Sequence, residues 1–122
     1  MKLTVLAAPV AVCRLAADAP LPSWPRGAFV SITRTAEELS IVCDDDAVPA
    51  DVQVERDWRA LKLEGPIPFA MTGVASALLA PLAAAQISVF LISTYDTDYL
   101  LLKSDVFARA AGILRGAGYD VA

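Results

Sequence analysis

The chain contains no histidine, and only two of its 122 residues are cysteines. The lack of histidine excludes Ser-His-Asp and Cys-His catalytic arrangements and removes the commonest zinc ligand. Cys13 and Cys43 stand 30 positions apart in apolar runs, so we predict two reduced thiols packed inside a sheet. The sequence therefore offers no catalytic residue, metal site or cofactor site, and it favours a protein that is not an enzyme.

Basic residues are few and scattered, with 10 Lys and Arg against 14 Asp and Glu, for a net charge of -4. Binding to nucleic acid requires a basic stripe, so we expect no nucleic-acid partner. Arg14 interrupts the apolar N-terminal stretch, which argues against a signal peptide and favours a cytoplasmic protein. The acidic run Asp44–Asp46 is expected to be a solvated loop, because three consecutive carboxylates cannot all face one cation.

The chain has one long stretch without charge, residues 65–95, which is long enough to cross a bilayer. Three prolines interrupt this stretch (Pro66, Pro68 and Pro81), and alanine rather than leucine dominates its helical part. Its periodicity also changes from helical to strand-like. We therefore expect no membrane span, and a hydrophobic content of 57% predicts a folded core.

The second half of the chain predicts a β-α-β-β-α-β order. Trp58–Gly65 alternates as a strand, and Thr72 and Gly73 then provide a cap and a tight turn before an Ala-rich helix. The apolar run 87–94 predicts a central strand, "YDTD" a turn and "YLLLK" the return strand. Ser104 is expected to cap a second helix, which two glycines end before a short last strand. This order is the α+β, ferredoxin-like plan.

The first half of the chain repeats this pattern without its helices. With a shift of 60 positions, Phe29–Val42 overlays Val89–Leu102, and Glu38 falls opposite Asp98. The proline-rich stretch "AADAPLPSWP" stands where the first helix would be, and "DDDAVPADV" replaces the second. The pattern indicates an internal repeat whose first unit is degenerate.

Two stretches carry a resemblance to a known family: "GPIPFAMTGVASALLAPLAAAQISVFLISTYDTDYLLLK" and "FVSITRTAEELSIVCDD". They resemble the ACT domain, a ferredoxin-like module that binds amino acids and regulates metabolic enzymes. The likeness is nearer to short bacterial proteins of two tandem ACT-like units and to CASTOR-type arginine sensors. It implies a degenerate ACT-like unit over residues 1–57 and an ACT domain over residues 58–122.

The resemblance also implies a ligand site. Its residues are Thr72, Gly73 and Val74 at the turn, Ser88 and Val89 at the strand start, and Thr94, Tyr95 and Asp98 at the hairpin. Amides at the helix start would hold a carboxylate, and Asp98 would face an ammonium or guanidinium group. Met71 stands where the arginine sensors have an acid, so arginine is not carried over as the ligand.

Two readings of function remain open. The first is an amino-acid-binding regulatory module, with a polar or cationic amino acid as the ligand. The second is a ligand-free protein–protein interaction module, in which Asp96 and Asp98 only bond their own turn. In either case we expect a homodimer, since sheet edges and the Ala-rich helix bury best against another copy, and a regulated partner protein is also implied.

Overall fold

Alternating apolar and polar residues form eight strands, and two apolar runs of helical period form two helices in the computed structural model, which describes residues 1–122. The strands are β1 (Lys2–Val5), β2 (Val10–Leu15), β3 (Ser31–Arg34), β4 (Leu39–Asp44), β5 (Gln53–Leu63), β6 (Phe90–Ser93), β7 (Asp98–Lys103) and β8 (Asp120–Val121). The helices are α1 (Val74–Ala84) and α2 (Phe107–Gly116). The chain divides into an N-terminal unit, Ala7–Trp58, and a C-terminal unit that joins Met1–Leu6 to Arg59–Ala122.

The N-terminal unit is a helix-free sheet with the antiparallel order β3-β4-β2-β5. Its core residues alternate along β2 and β4, as expected for a sheet with one buried face, and are Ala11, Cys13, Leu39, Ile41, Cys43 and Val48. No helix follows β2, and a single 3-10 turn, Asp45–Ala47, follows β4. This matches the proline-rich and acidic stretches that replace helices in the sequence pattern.

Cys13 and Cys43 are free, buried thiols on the neighbouring strands β2 and β4. Burial, together with the adjacent Cys43 thiol, raises the pKa of Cys13 from 9.0 to about 12. Burial also raises the pKa of Cys43. Because the thiolate is the reactive form, both side chains are held in their inert, protonated state at neutral pH.

The C-terminal unit has the strand order β6-β7-β5-β1-β8. Strand β1 is antiparallel to β5 and parallel to β8, so the first strand of the chain lies between the two strands that a ferredoxin-like unit would place side by side. Helices α1 and α2 contact each other and supply much of the core. None of the helices is long and apolar enough to cross a membrane.

Strand β6 pairs with β7 alone, so the prediction of a central strand for residues 87–94 is wrong. The apolar residues Phe90, Leu91 and Ile92 are half-buried rather than buried. The apolar run therefore predicted the strand correctly but not its position in the sheet. An edge strand that is half-buried on both faces has the same apolar sequence pattern as a central strand.

Both helix starts differ from the prediction. The N-cap of α1 is Gly73, whose φ of 77° lies in the left-handed region, and no side chain caps the helix, so Thr72 is not the cap. Ser104 opens a 3-10 turn instead, and Val106 is the N-cap of α2, again without a side-chain hydrogen bond. Both cap positions are thus held by residues that have no acceptor oxygen in the side chain.

The β3-β4 and β6-β7 hairpins share one turn geometry. The amide of Thr35 donates to Glu38 O at 2.9 Å, and the amide of Thr94 donates to Thr97 O at 2.8 Å. Each threonine hydroxyl also accepts from the amide three residues later. The equivalent positions are therefore offset by 59 residues rather than 60, and Asp98 corresponds to Leu39 instead of Glu38. One position is enough to move a strand side chain to the opposite face.

Asp45 is not part of a solvated acidic loop. Its carboxylate accepts a hydrogen bond from Arg56 Nη1 at 2.8 Å and one from the amide of Asp57 at 2.8 Å, and its side chain is 19% exposed. Arg56 also donates to the backbone oxygens of Asp45 and Val48. The group fixes the left-handed backbone at Asp57, where φ is 65° and β5 bulges against β2.

We expect Asp45→Ala to lower the free energy of unfolding by about 2 kcal/mol, because it removes the counter-charge of the Arg56 guanidinium and leaves the bulge amide of Asp57 without its acceptor. Asp46 is the matched control, since its side chain is 80% exposed and pairs only with the exposed Arg26. Asp46→Ala should change stability by no more than about 0.5 kcal/mol in the same urea titration. Equal losses from the two variants would show that the bulge does not depend on Asp45.

Candidate functional site

A pocket of about 330 Å³ lies in the C-terminal unit between the start of α1 and the β6-β7 hairpin. Its walls are the loop 67–71, the first turn of α1 and the hairpin residues 93–98. The volume falls at the lower end of the range for small-molecule sites.

The first turn of α1 lines the pocket, and its amide groups precede the first hydrogen bond of the helix. Gly73, Val74, Ala75 and Ser76 line the cavity, and the first hydrogen bond of the helix is donated by Ala77 to Gly73 O at 2.9 Å. No side chain caps the helix, and its first turn contains no acidic residue. The positive end of the helix dipole is therefore free to hold a negative group.

A glycine at position 73 suits this wall. Its φ of 77° strains any residue with a Cβ atom, although a Cβ built there meets no atom within 4 Å. The position is thus set by backbone conformation and not by crowding. Without a side chain, Gly73 also leaves the helix start open to the cavity.

The opposite wall carries the half-buried carboxylate of Asp98. Ser93 Oγ donates to Asp98 Oδ1 at 2.6 Å, which fixes the carboxylate across the β6-β7 pair. The turn behind it is held by two further bonds: the buried hydroxyl of Thr97 donates to Leu63 O, and the amide of Ile67 donates to Asp96 O at 2.7 Å. The remaining carboxylate oxygen of Asp98 can accept a bond from a cationic group.

The rim of the pocket is aromatic. The Phe69 and Tyr95 rings pack edge to face, with centroids 4.9 Å apart and an interplanar angle of 87°. Both rings line the pocket. The contact joins the loop before α1 to the hairpin turn.

Five of the eight predicted site residues line this pocket: Gly73, Val74, Thr94, Tyr95 and Asp98. Thr72, Ser88 and Val89 are not among its lining residues. Ser88 and Val89 follow the C-terminal end of α1, and an 11-residue helix is about 16 Å long. The structure therefore brings together the turn and the hairpin, but not the start of β6.

Several lining residues were not anticipated from the sequence, namely Ile67, Pro68, Phe69, Ala75, Ser76, Ser93, Asp96 and Thr97. Ala75 and Ser76 could have been predicted from the position of the helix start, since all the amides in the first turn of a helix point in the same direction. The sequence of the 67–71 loop does not indicate a role in the pocket, because apolar residues of this kind occur both in a buried core and at the rim of a cavity. No group of three or more His, Cys, Asp or Glu side chains is placed to hold a metal ion.

The fold and the pocket together define an α+β, ferredoxin-like module with a cavity at a helix start. The model of the ACT domain family matches residues 53–116, more than half of the chain, and the chain belongs to this family. A second family model, of an N-terminal domain, matches residues 9–51.

Known proteins with similar sequences include the cytosolic arginine sensor for mTORC1 subunit 1 of Bos taurus, which is 33% identical over 94 residues. That match covers 68% of this chain but 29% of the sensor, so the chain spans less than a third of that relative. The crystal structure of protein Atu0741 from Agrobacterium tumefaciens is 40% identical, has a TM-score of 0.93, and aligns over 99% of this chain and 91% of its own.

The fold also occurs in a larger enzyme. Clostridium acetobutylicum aspartate kinase, described as an allosteric enzyme, aligns with 94% of this chain and 33% of its own at a TM-score of 0.71. Its sequence identity is 10%, so the likeness is one of fold alone.

Proposed function

We propose that the chain is a non-catalytic regulatory module that binds a free amino acid in the pocket between α1 and the β6-β7 hairpin. The observation that carries this proposal is the pairing of two opposite charges across one cavity. The open start of α1 lies on one wall, and the carboxylate of Asp98 lies on the other. An amino acid carries both complementary groups one carbon apart.

In the proposed complex the ligand carboxylate accepts hydrogen bonds from the amides of Val74, Ala75 and Ser76. The ligand ammonium donates to Asp98, which Ser93 holds in place. Thr94 and Tyr95 close the hairpin side. Charge-assisted bonds at both ends fix the orientation of the ligand, so its side chain is directed to the rest of the wall.

The name of a protein with a similar sequence supports an amino-acid-binding role. The Bos taurus protein is named as an arginine sensor and as cytosolic. We propose by analogy that this chain acts in the cytoplasm and transmits ligand binding to a partner protein. The matching turns at Thr35 and Thr94 further support two ACT-like units, proposed over residues 1–57 and 58–122, with the difference that Met1–Leu6 belong to the C-terminal unit of the structure.

The binding proposal is tested by a thermal-shift screen of the 20 amino acids. At 100 times its dissociation constant, a ligand of the folded state adds about 2.7 kcal/mol of stability. For a chain of this size the Tm should rise on the order of 10 °C. The matching amine without a carboxylate and the matching acid without an ammonium should each give little shift. No shift with any amino acid at millimolar concentration would favour the ligand-free interaction module.

We further propose that the chain forms a homodimer. Helix α1 has no charged residue, and its alanines 77, 80, 83 and 84 are exposed, although helices that are apolar all round are usually covered. Strand β6 also pairs on one side only, which leaves a sheet edge open. Light scattering at micromolar concentration should give twice the chain mass of 12.9 kDa. A single species at the chain mass would contradict the dimer.

A further inference from the structure

Besides the two groups of opposite charge that would hold an amino-acid backbone, the pocket contains one further charge, the exposed carboxylate of Asp96. No lysine or arginine lines it, so its only positive element is the start of α1. Of its two carboxylates, Asp98 is half-buried, whereas Asp96 is exposed. If the ligand carboxylate lies at the helix and the ligand ammonium at Asp98, a charged side chain has no buried partner of opposite sign.

Much of the rest of the wall is apolar. Its apolar residues are Ile67, Pro68, Phe69, Met71, Val74 and the ring of Tyr95, and they stand beside the hydroxyl residues Ser76, Ser93, Thr94 and Thr97. Phe69, Met71 and Tyr95 are 74%, 48% and 81% exposed, and these three are among the seven large apolar side chains that the whole chain leaves exposed. Exposed apolar groups gathered around one cavity mark a surface that a ligand or partner covers.

We propose that the pocket selects a neutral amino acid with an apolar side chain, of the size of leucine, methionine or phenylalanine. This inference rests on the proposed amino-acid binding and specifies its ligand class. Burying such a side chain against the apolar wall should strengthen binding on the order of 10- to 100-fold relative to glycine. An acidic side chain would face two carboxylates without a cation, which opposes its binding.

A cationic side chain is the strongest competitor, because an aromatic face attracts cations. At exposed rings this attraction is small, about a fewfold in affinity. A lysine or arginine head group would otherwise meet only Asp96, an exposed carboxylate, and exposed ion pairs contribute little. Removing the side-chain cation from water and placing it against Ile67 and Phe69 also costs free energy, which opposes the small gain from that ion pair.

Norleucine and lysine form the decisive ligand pair, since they share the same straight carbon chain and differ by the terminal ammonium. In calorimetric titrations of the intact protein, norleucine should bind at least 10-fold more tightly than lysine, and also more tightly than glycine. Binding of lysine or arginine more tightly than norleucine would overturn the apolar class while leaving amino-acid binding intact. Failure of every amino acid to bind would overturn both.

A substitution of Phe69 tests whether the aromatic rim of the pocket causes the preference for an apolar side chain. Phe69→Ala removes an exposed ring, so the fold should tolerate it. It should weaken norleucine several-fold and leave glycine affinity unchanged, because glycine has no side chain to contact the ring. Val30→Ala, an exposed apolar truncation in the N-terminal unit, should leave both affinities unchanged. An equal effect of Phe69→Ala on norleucine and glycine would contradict the assignment of the apolar wall.

Discussion

Asp98→Ala is expected to weaken amino-acid binding by roughly 30- to 800-fold, equivalent to about 2–4 kcal/mol. Asp98 is half-buried and lines the pocket, and Ser93 Oγ holds one of its carboxylate oxygens at 2.6 Å, which leaves the other oxygen available to a ligand. Removing it leaves the ligand ammonium without its only half-buried counter-charge. Calorimetric titration with the amino acid that stabilises the wild type measures the loss.

Asp96→Ala is the matched control for this prediction. Asp96 lies two positions away and lines the same pocket, but its carboxylate is exposed, and its backbone oxygen already accepts from Ile67. Its truncation should change affinity by no more than a fewfold. Neither variant should alter the stability of the free protein by more than about 0.5–1 kcal/mol. Equal losses of affinity from the two variants would mean that the hairpin acids only shape the turn.

Leu100→Ala is expected to lower the free energy of unfolding by about 2–5 kcal/mol. Leu100 is 0% exposed in β7 and packs in the core of the C-terminal unit, where α1 and α2 meet the sheet. The truncation removes apolar contacts and leaves a cavity that close-packed neighbours fill only in part. Urea denaturation followed by circular dichroism measures the change.

Leu21→Ala provides the comparison for the core truncation, because it deletes the same atoms from a side chain that is 62% exposed. Its cost should stay below about 1 kcal/mol. A loss from Leu100→Ala that is no larger than that from Leu21→Ala would contradict the assigned core.

The sequence predicted the order of elements in the C-terminal unit because periodicity and turn residues are local signals. Alternation, helical spacing and the "YDTD" turn all act within a few residues. It did not predict that β1 would pair with both β5 and β8, since that pairing joins Lys2 to Asp120 across nearly the whole chain. Nor did it place β6 at an edge, because strand pairing is a tertiary property.

Capping and register were the other limits. A threonine before a helix predicts a cap, but the left-handed backbone at Gly73 starts α1 without one. The repeat was recognised with an offset one residue too large, because a pattern of apolar residues fixes the repeated hairpin less strictly than the hydrogen bonds of its turn. Those bonds depend on individual backbone groups and are not visible in the side-chain pattern.

The polar contacts that decide function were predictable only in part. Asp98 and the start of α1 were expected to share a site through the family resemblance, and the pocket contains both. The Phe69–Tyr95 contact was not expected, because it joins a loop and a turn whose approach depends on the whole unit. The Asp45–Arg56 group was not predicted for the same reason, since Asp45 opens the 3-10 turn and Arg56 lies 11 positions later in β5.

The most direct test of the account is a map of backbone amide chemical shifts during titration with norleucine or with the best ligand of the screen. The account predicts the largest changes at Val74, Ala75 and Ser76 at the start of α1, and at Thr94–Asp98 in the hairpin. The amides of the N-terminal hairpin turn at Thr35–Glu38 serve as the internal control and should change little. Saturable changes that leave the start of α1 unaffected would contradict an amino-acid site in this pocket.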